Sequence, residues 1–353
     1  MIAVIGGVKT CVSVRMTMPE RDIEKQRKQD EEALLNAGID INNMGDAEED
    51  SEDARFRRYY EGKMREMASD NYWNEVGLGG GDFGGYPVMT PDEDTDIRVS
   101  SSGCSYNVAR RLGGRTELAF VSVVGNDALG MAALCELEKA GVDVSAVKIA
   151  EGATPVGVEL HNVVGDLNFL RENNSLMGEL SPKLIDESAE LLDRADVIFM
   201  DGSLSVETMN YVSEKYADKC KICFDPASIN GGSRFAESDL KAYLVIPGRM
   251  EAEAMTGLQI LGMDQLMAAG TALEERGVKN TIITLKGGGI YYREGTEAEI
   301  IKPEKVLSFA DTSGAGDVLS AEVVYRLSLG DDLAVAAKAA MDETAEYLKE
   351  VAK

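Results

Sequence analysis

No apolar run in the chain reaches about 18 residues, so none is long enough to cross a bilayer. The apolar start, residues 1–8, is too short and unflanked for a secretory leader. Histidine occurs once, at His161, and cysteine five times, at Cys11, Cys104, Cys135, Cys220 and Cys223. An odd cysteine count in a large chain suits a reduced, intracellular protein, and a cytoplasmic location is expected. Cys220 and Cys223 form a Cys-x-x-Cys, but no second pair follows at zinc spacing. The pair therefore reads as small apolar residues opening a strand. Basic residues are scarce: 36 against 62 acidic, a net charge of −26. Such a chain repels nucleic acid and anionic membranes, so neither is an expected partner. Halophilic adaptation gives the same acidity. A phosphorylated ligand would need a local positive pocket. The turn after the first strand holds Gly6-Gly7 without a Gly-x-Gly-x-x-Gly, which argues against a dinucleotide-binding oxidoreductase.

What is present is a large α/β pattern. The 353 residues are 44% hydrophobic, enough to bury a sizeable core. Buried strands are read at 2–5, 118–125, 197–201, 222–226 and 243–247. Helices are read at 127–140, 181–192 and 205–216. This alternation predicts a parallel sheet covered on both faces. Residues 156–164 and 167–170 read as a hairpin turning at Gly165-Asp166, and 280–291 as strand, glycine turn, strand. The last helices are expected from Asp317 to about Leu329 and over 332–351. Between 19 and 36, opposite charges at i,i+4 suit an exposed helix. Over 54–68, Phe56, Tyr59, Tyr60, Met64 and Met67 follow helical spacing. The glycine cluster 77–85 either cradles phosphate or forms a flexible loop. No buried strand precedes it and no helix follows, which favours the loop.

The stretch Asp311-Thr312-Ser313-Gly314-Ala315-Gly316-Asp317 precedes an apolar, helix-compatible run. Small residues let the backbone approach a ligand, and the first N–H groups of a helix lack internal partners. The helix dipole adds a preference for phosphate. Asp317 conflicts with simple anion binding, because a carboxylate repels phosphate. It fits if it takes the proton of a hydroxyl that attacks that phosphate. On the residues alone, an Asp favoured by the dipole in a first helical turn fits as well.

This stretch resembles the signature of the ribokinase-like (PfkB) sugar and nucleoside kinases. The resemblance covers roughly 1–15 and 98–350. It is nearest to pseudouridine kinase-like members through residues 224–228 and 249–253. It implies a three-layer α/β/α domain with a mostly parallel sheet. It implies ATP and Mg2+, with Asp317 as catalytic base and the amides of Gly314, Ala315 and Gly316 as anion hole. Residues 102–113 resemble a Gly-Gly-x-x-x-Asn-x-Ala motif, with Ser102 in place of the first glycine; Gly103 and Asn107 would then hold the acceptor. Cys11 stands about where relatives carry an Asp that binds substrate hydroxyls, and a thiol is a weak hydrogen-bond partner. Residues 248–251 resemble Asn-x-x-Glu. They give Glu251 a magnesium role through water, with Gly248 replacing Asn and Arg249 offered as compensating charge. Thr284, Lys286, Gly287 and Gly289 resemble a nucleotide-contacting glycine turn, to which Asp311 and Thr312 add contacts. The chain stops before the loop that in many relatives touches adenine and a monovalent cation.

Residues 18–95 match nothing in the resemblance. They read as a largely helical insertion at the lid position of one domain spanning 1–353. The insertion would shield the site, enlarge it, or form a homodimer contact. The expected activity is transfer of the γ-phosphate of ATP to a hydroxyl of a sugar or nucleoside, pseudouridine-like or another ribosyl acceptor. The departures at Cys11, Ser102, Gly248 and Lys286 leave open a non-catalytic binding protein on the same fold.

Overall fold

The computed structural model describes residues 1–16, 95–161, 167–174, 176–285, 289–295, 297–302 and 312–351. In chain order the strands are β1 (Ile2–Ile5), β2 (Lys9–Met16), β3 (Thr95–Ser102), β4 (Leu118–Gly125), β5 (Val147–Ala150), β6 (Val156–His161), β7 (Leu167–Glu172), β8 (Val197–Asp201), β9 (Lys221–Asp225), β10 (Leu244–Val245), β11 (Asn280–Leu285), β12 (Gly289–Glu294) and β13 (Glu297–Ile301). The helices are α1 (Cys104–Leu112), α2 (Ala128–Lys139), α3 (Pro182–Glu187), α4 (Ala189–Leu192), α5 (Val206–Tyr216), α6 (Ile229–Glu237), α7 (Arg249–Thr256), α8 (Met263–Glu275), α9 (Ala315–Ser328) and α10 (Leu333–Val351).

Nine strands build the central sheet in the order β13-β12-β11-β10-β9-β8-β1-β4-β5. From β5 to β11 every pairing is parallel, while β12 and β13 add an antiparallel edge. The parallel strands are apolar runs because both their faces are covered: every residue of β1, β4 and β8 is buried. Alternate residues serve opposite cores. Ile2, Val4, Phe120 and Phe199 pack with α1, α2, α9 and α10, whereas Ala3, Ile5, Val121 and Phe224 pack with α3 to α6. Each large apolar side chain fully buried this way contributes about 1.5–3 kcal/mol.

A second sheet, β3-β2-β6-β7, stands apart from the first. It grows out of the turn after β1 and returns into α1, with Lys9 paired to Ser102 at its base and Met16 to Thr95 at its far end.

Several expectations change. The sequence reading placed no strands at 9–16 or 95–102, yet these pair along their whole length, and Thr95 belongs to β3 rather than to the insertion. The rest of the insertion, 18–94, lies outside the described residues. The helix expected over 181–192 is two short pieces, α3 and α4. Ser188, between them, turns its Oγ back to the Leu184 carbonyl at 2.8 Å. The strand at 243–247 shortens to two residues, held between β9 and β11. The hairpin is present as β6 and β7; its Gly165-Asp166 turn is outside the described residues. The side chain of His161 is outside them as well.

Candidate active site

From β1 the sheet grows toward β4 and β5 on one side and toward β8 to β11 on the other. The carboxyl ends of β1 and β8 therefore flank a topological switch point, where open α/β sheets form ligand crevices. Helix α1 is pinned over it. The Ser105 N–H donates to Asp201 Oδ2 at 2.8 Å, and the Ser105 Oγ donates to the Ile5 carbonyl at 3.1 Å. Gly103 precedes α1 with φ of 123°, a conformation open to glycine. A Cβ there would lie 2.7 Å from the Gly7 carbonyl oxygen. The close approach that Gly103 permits is thus of the turn after β1.

Asp317 occupies the first turn of α9, after Gly314 at φ 79°. The Tyr347 hydroxyl of α10 donates to the Ser313 carbonyl at 2.8 Å and braces this turn. The Ala315 N–H donates to the Thr312 carbonyl at 3.1 Å, so one of the three expected anion-hole amides is already engaged. Asn107 Nδ2 donates to Asp317 Oδ2 at 2.7 Å. Burial pushes the Asp317 carboxyl up to about 6. Asn107 and Cys104 oppose that rise, Asp201 adds to it, and Arg111 opposes it. A carboxylate so tuned is ionised at neutral pH yet retains proton affinity, as a general base requires.

Sequence reasoning placed Asn107 but missed Cys104 and Arg111. The three are spaced i, i+3, i+7 and share one face of α1, a pattern visible in the sequence. Arg111 supplies local positive charge; its guanidinium lies 4.6 Å over the Tyr347 ring.

A second group of carboxylates adjoins Asp317. One turn along α9, Ser320 donates its Oγ to Asp225 Oδ2 at 2.7 Å. Burial first, and then the neighbouring Glu251, hold the Asp225 carboxyl well above the usual range. Glu251 is likewise raised by burial, and its Oε2 accepts the Gly248 N–H at 2.6 Å. Thr284 bridges to Gly248, and its N–H donates to the Pro247 carbonyl at 2.9 Å. A Cβ at Gly248 would come within 3.3 Å of Glu251 Oε2, so glycine leaves open the space between Thr284 and Glu251. Arg249 does not compensate for the missing amide: its Nη1 is committed to Glu253 at 2.7 Å. Among the described residues no three His, Cys, Asp or Glu side chains cluster as a metal cage. Asp225 and Glu251 form a pair of buried carboxylates, with the oxygen donors that magnesium takes.

In the second sheet, Cys11 is buried opposite Ser100 and Gly157. Lys9, on the same face, pairs with Glu172 and, at 3.6 Å, with Glu159. Burial and then Glu159 push the Cys11 thiol up to about 12, so it stays neutral. Two carboxylates, Glu159 of β6 and Glu172 of β7, lie beside Cys11. Gly289 opens β12 with φ of 89°. Lys286, Gly287 and Asp311 lie outside the described residues.

The arrangement can be set beside known proteins. The pfkB family carbohydrate kinase profile matches residues 89–342, well over half the chain. The chain is 23% identical over 228 residues to the pseudouridine kinase of Escherichia coli K12, covering 64% of this chain and 72% of that protein. It is 26% identical over 261 residues to the guanosine-inosine kinase of Exiguobacterium acetylicum, covering 72% and 85% respectively. The ribokinase of Thermotoga maritima shares its fold with a TM-score of 0.66 at 18% identity, covering 98% of this chain and 92% of that one. The chain has a ribokinase-like α/β fold and belongs to the pfkB family of carbohydrate kinases, a family of phosphotransferases.

Proposed function

We propose that the protein moves the γ-phosphoryl group of ATP to a hydroxyl of a ribosyl acceptor, a nucleoside such as pseudouridine or a related sugar. The observation that carries this reading is Asp317 at the switch point, beside a helix N-terminus and oriented by Asn107 at 2.7 Å. The acceptor hydroxyl gives its proton to Asp317. Its oxygen bonds to the γ-phosphorus as the bond to the bridging oxygen breaks, and ADP leaves with that electron pair. Amides of the turn, Gly314 and Gly316 foremost, and the dipole of α9 meet the charge on the transferred group. Magnesium, when bound, neutralises phosphate charge, and Glu251 would hold it through water. Gly103 and Asn107 border the acceptor end, where Asn107 keeps its carbonyl oxygen and second N–H for hydroxyls. Lys9, Glu159 and Glu172 replace the single carboxylate missing at Cys11. The nucleoside preference draws on the names of the two relatives above.

The test is ADP release with ATP and magnesium across free sugars, sugar phosphates and nucleosides including pseudouridine, for wild type and Asp317→Asn. Turnover with one acceptor class, lost in the variant, is expected. Equal turnover in both proteins would remove Asp317 from the chemistry.

A further inference from the structure

A cavity of about 410 Å³ opens at the amino ends of the central strands, away from the switch point. Its charge is unlike that of the chain. Four of its eleven lining residues are lysines, Lys219, Lys221, Lys241 and Lys279, whereas only 36 of the 353 residues of the chain are basic. They come from three separate stretches. Lys219 and Lys221 flank Cys220 where β9 begins, Lys241 stands just before β10, and Lys279 directly precedes β11. These three strands are neighbours in the sheet, so the parallel register gathers the lysines at one edge. Asp225 and the candidate active site lie at the other end of β9, about 16 Å away for a five-residue strand. The reaction proposed above makes no use of this cavity.

The acidic residues nearby do not cancel the charge. Asp196, in the wall, is held by the amino terminus at 2.8 Å. Lys219 is taken by Asp193 at 3.6 Å. Asp218 is then left against Lys221, Lys241 and Lys279, and none of these three forms an ion pair among the described residues. Glu294 and Asp332 act on the Tyr243 hydroxyl but are not part of the wall. Helix dipoles do not account for the lysines either. Each lies three or more residues beyond the helix before it, and the dipole fades within the last turn. Lys221 is already placed for a ligand. It is half-buried, its Nζ donates to the Leu327 carbonyl of α9 at 3.2 Å, and it lies 5.1 Å from the centre of the Tyr243 ring. An ammonium has three donors, so two remain.

We infer that this cavity binds a small phosphorylated anion of two or more charges, at a site separate from the catalytic one. Lysine is a compact charge with rotatable donors, which suits a tetrahedral phosphate. The planar fork of arginine, which matches a carboxylate, is absent from the wall. The volume is that of a small-molecule site, and the half-buried Tyr243 with Ala242 offers an apolar side to the body of an organic phosphate. The inference does not depend on Asp317 acting as a base.

The probe is inorganic tripolyphosphate in magnesium-free buffer, with citrate at equal ionic strength as a second anion. Acetylation of each lysine by an N-hydroxysuccinimide ester is followed by mass spectrometry, because a bound anion slows acylation of the amines it touches. Tripolyphosphate is expected to slow labelling of Lys221, Lys241 and Lys279 about fivefold or more, and citrate to do so less. Lys183, outside the cavity with its side chain 80% exposed, should label at nearly its free rate. Lys241 and Lys279 are exposed, so Lys241→Gln/Lys279→Gln leaves the core untouched. In that variant the tripolyphosphate concentration that half-protects Lys221 should rise about five- to tenfold. Equal slowing at Lys183 and in the cavity would reduce the effect to general screening and overturn the inference. So would an unchanged half-protection in the double variant, or equal protection by citrate. Turnover is not read, so each of these outcomes leaves the reading of Asp317 where it stands.

Discussion

Replacing Asp317 by asparagine should abolish activity and, at neutral pH, stabilise the fold. The side chain keeps its size, and its carbonyl oxygen still accepts from Asn107. What it loses is charge in a site that burial makes hostile to charge. The Asp317 carboxyl stands at about 6 against an ordinary value of 3.8. The native state therefore binds the proton more tightly than the unfolded chain. The contribution of this carboxyl to stability is fully present below about pH 4 and is lost as pH rises through about 6. Linkage puts the cost of ionising it at about 3 kcal/mol at pH 7 and about 1.6 kcal/mol at pH 5. Part of the side chain remains open to solvent, so about half of each figure is the better expectation. Urea denaturation of both proteins at pH 5, 6 and 7 would show the variant more stable, by a margin that widens with pH. In parallel, wild-type kcat should fall on the acid side of about pH 6, because the base must be ionised to act. A constant margin, or a variant less stable at every pH, would refute the electrostatic account of the site.

Gly103→Ala sets a Cβ 2.7 Å from the Gly7 oxygen at a φ of 123°; a loss of about 2–4 kcal/mol is expected, and an unchanged urea midpoint would count against the packing described. Glu251→Gln keeps the acceptor for the Gly248 N–H but removes a buried charge. It should stabilise the protein above pH 7 while raising the magnesium needed for half-maximal ADP release severalfold, and an unaltered magnesium requirement would separate Glu251 from the metal. Lys9→Met removes the cation that Glu159 and Glu172 share. A loss of about 1–3 kcal/mol, smaller at pH 5 than at pH 8, and a raised acceptor KM should follow; an unchanged KM would place the lid cluster outside the acceptor site.

Much of this was legible in the residues. The parallel strands announce themselves as apolar runs, because burial on both faces leaves no room for alternation. The turn before Asp317 is readable as a glycine turn opening an apolar helix, whereas the residues alone leave the role of Asp317 open between a helix start and a base. Strands β2 and β3 of the second sheet were not legible. In β2 and β3, Val12, Val14, Ile97 and Val99 alternate with Lys9, Cys11, Arg98 and Ser100, and such short stretches resemble loops until their partner is known. That partner lies nearly 80 residues away, beyond local pattern. The sequence also could not say what Asn107 touches. Its motif suggests an acceptor contact, whereas a hydrogen bond across 210 residues joins it to Asp317. Arg249 failed as a phosphate ligand for a local reason. Glu253, one turn on, claims it, and that pairing was open to inspection at i,i+4.

The carboxylates at the strand ends explain how so acidic a chain can receive a nucleotide. Asp201 and Asp225 act first as staples, one fastening α1 to β8 and the other fastening α9 to β9. That duty buries both, and burial limits the charge that Asp225 and its neighbour Glu251 carry: those two are held toward the protonated form. The site is therefore less negative than its composition suggests. The groups that remain suited to phosphate are dipolar or cationic, namely the N-terminus of α9 and Arg111. Asp317 differs from Asp225 and Glu251 in that the Asn107 amide of α1 donates to its carboxylate. On the proposed reading, the same burial that weakens the fold at neutral pH sets Asp317 apart as a base, a trade of stability for chemistry common at active sites. On this view the −26 charge of the chain and the phosphate chemistry of the site do not conflict, because the charge that matters is decided locally by burial.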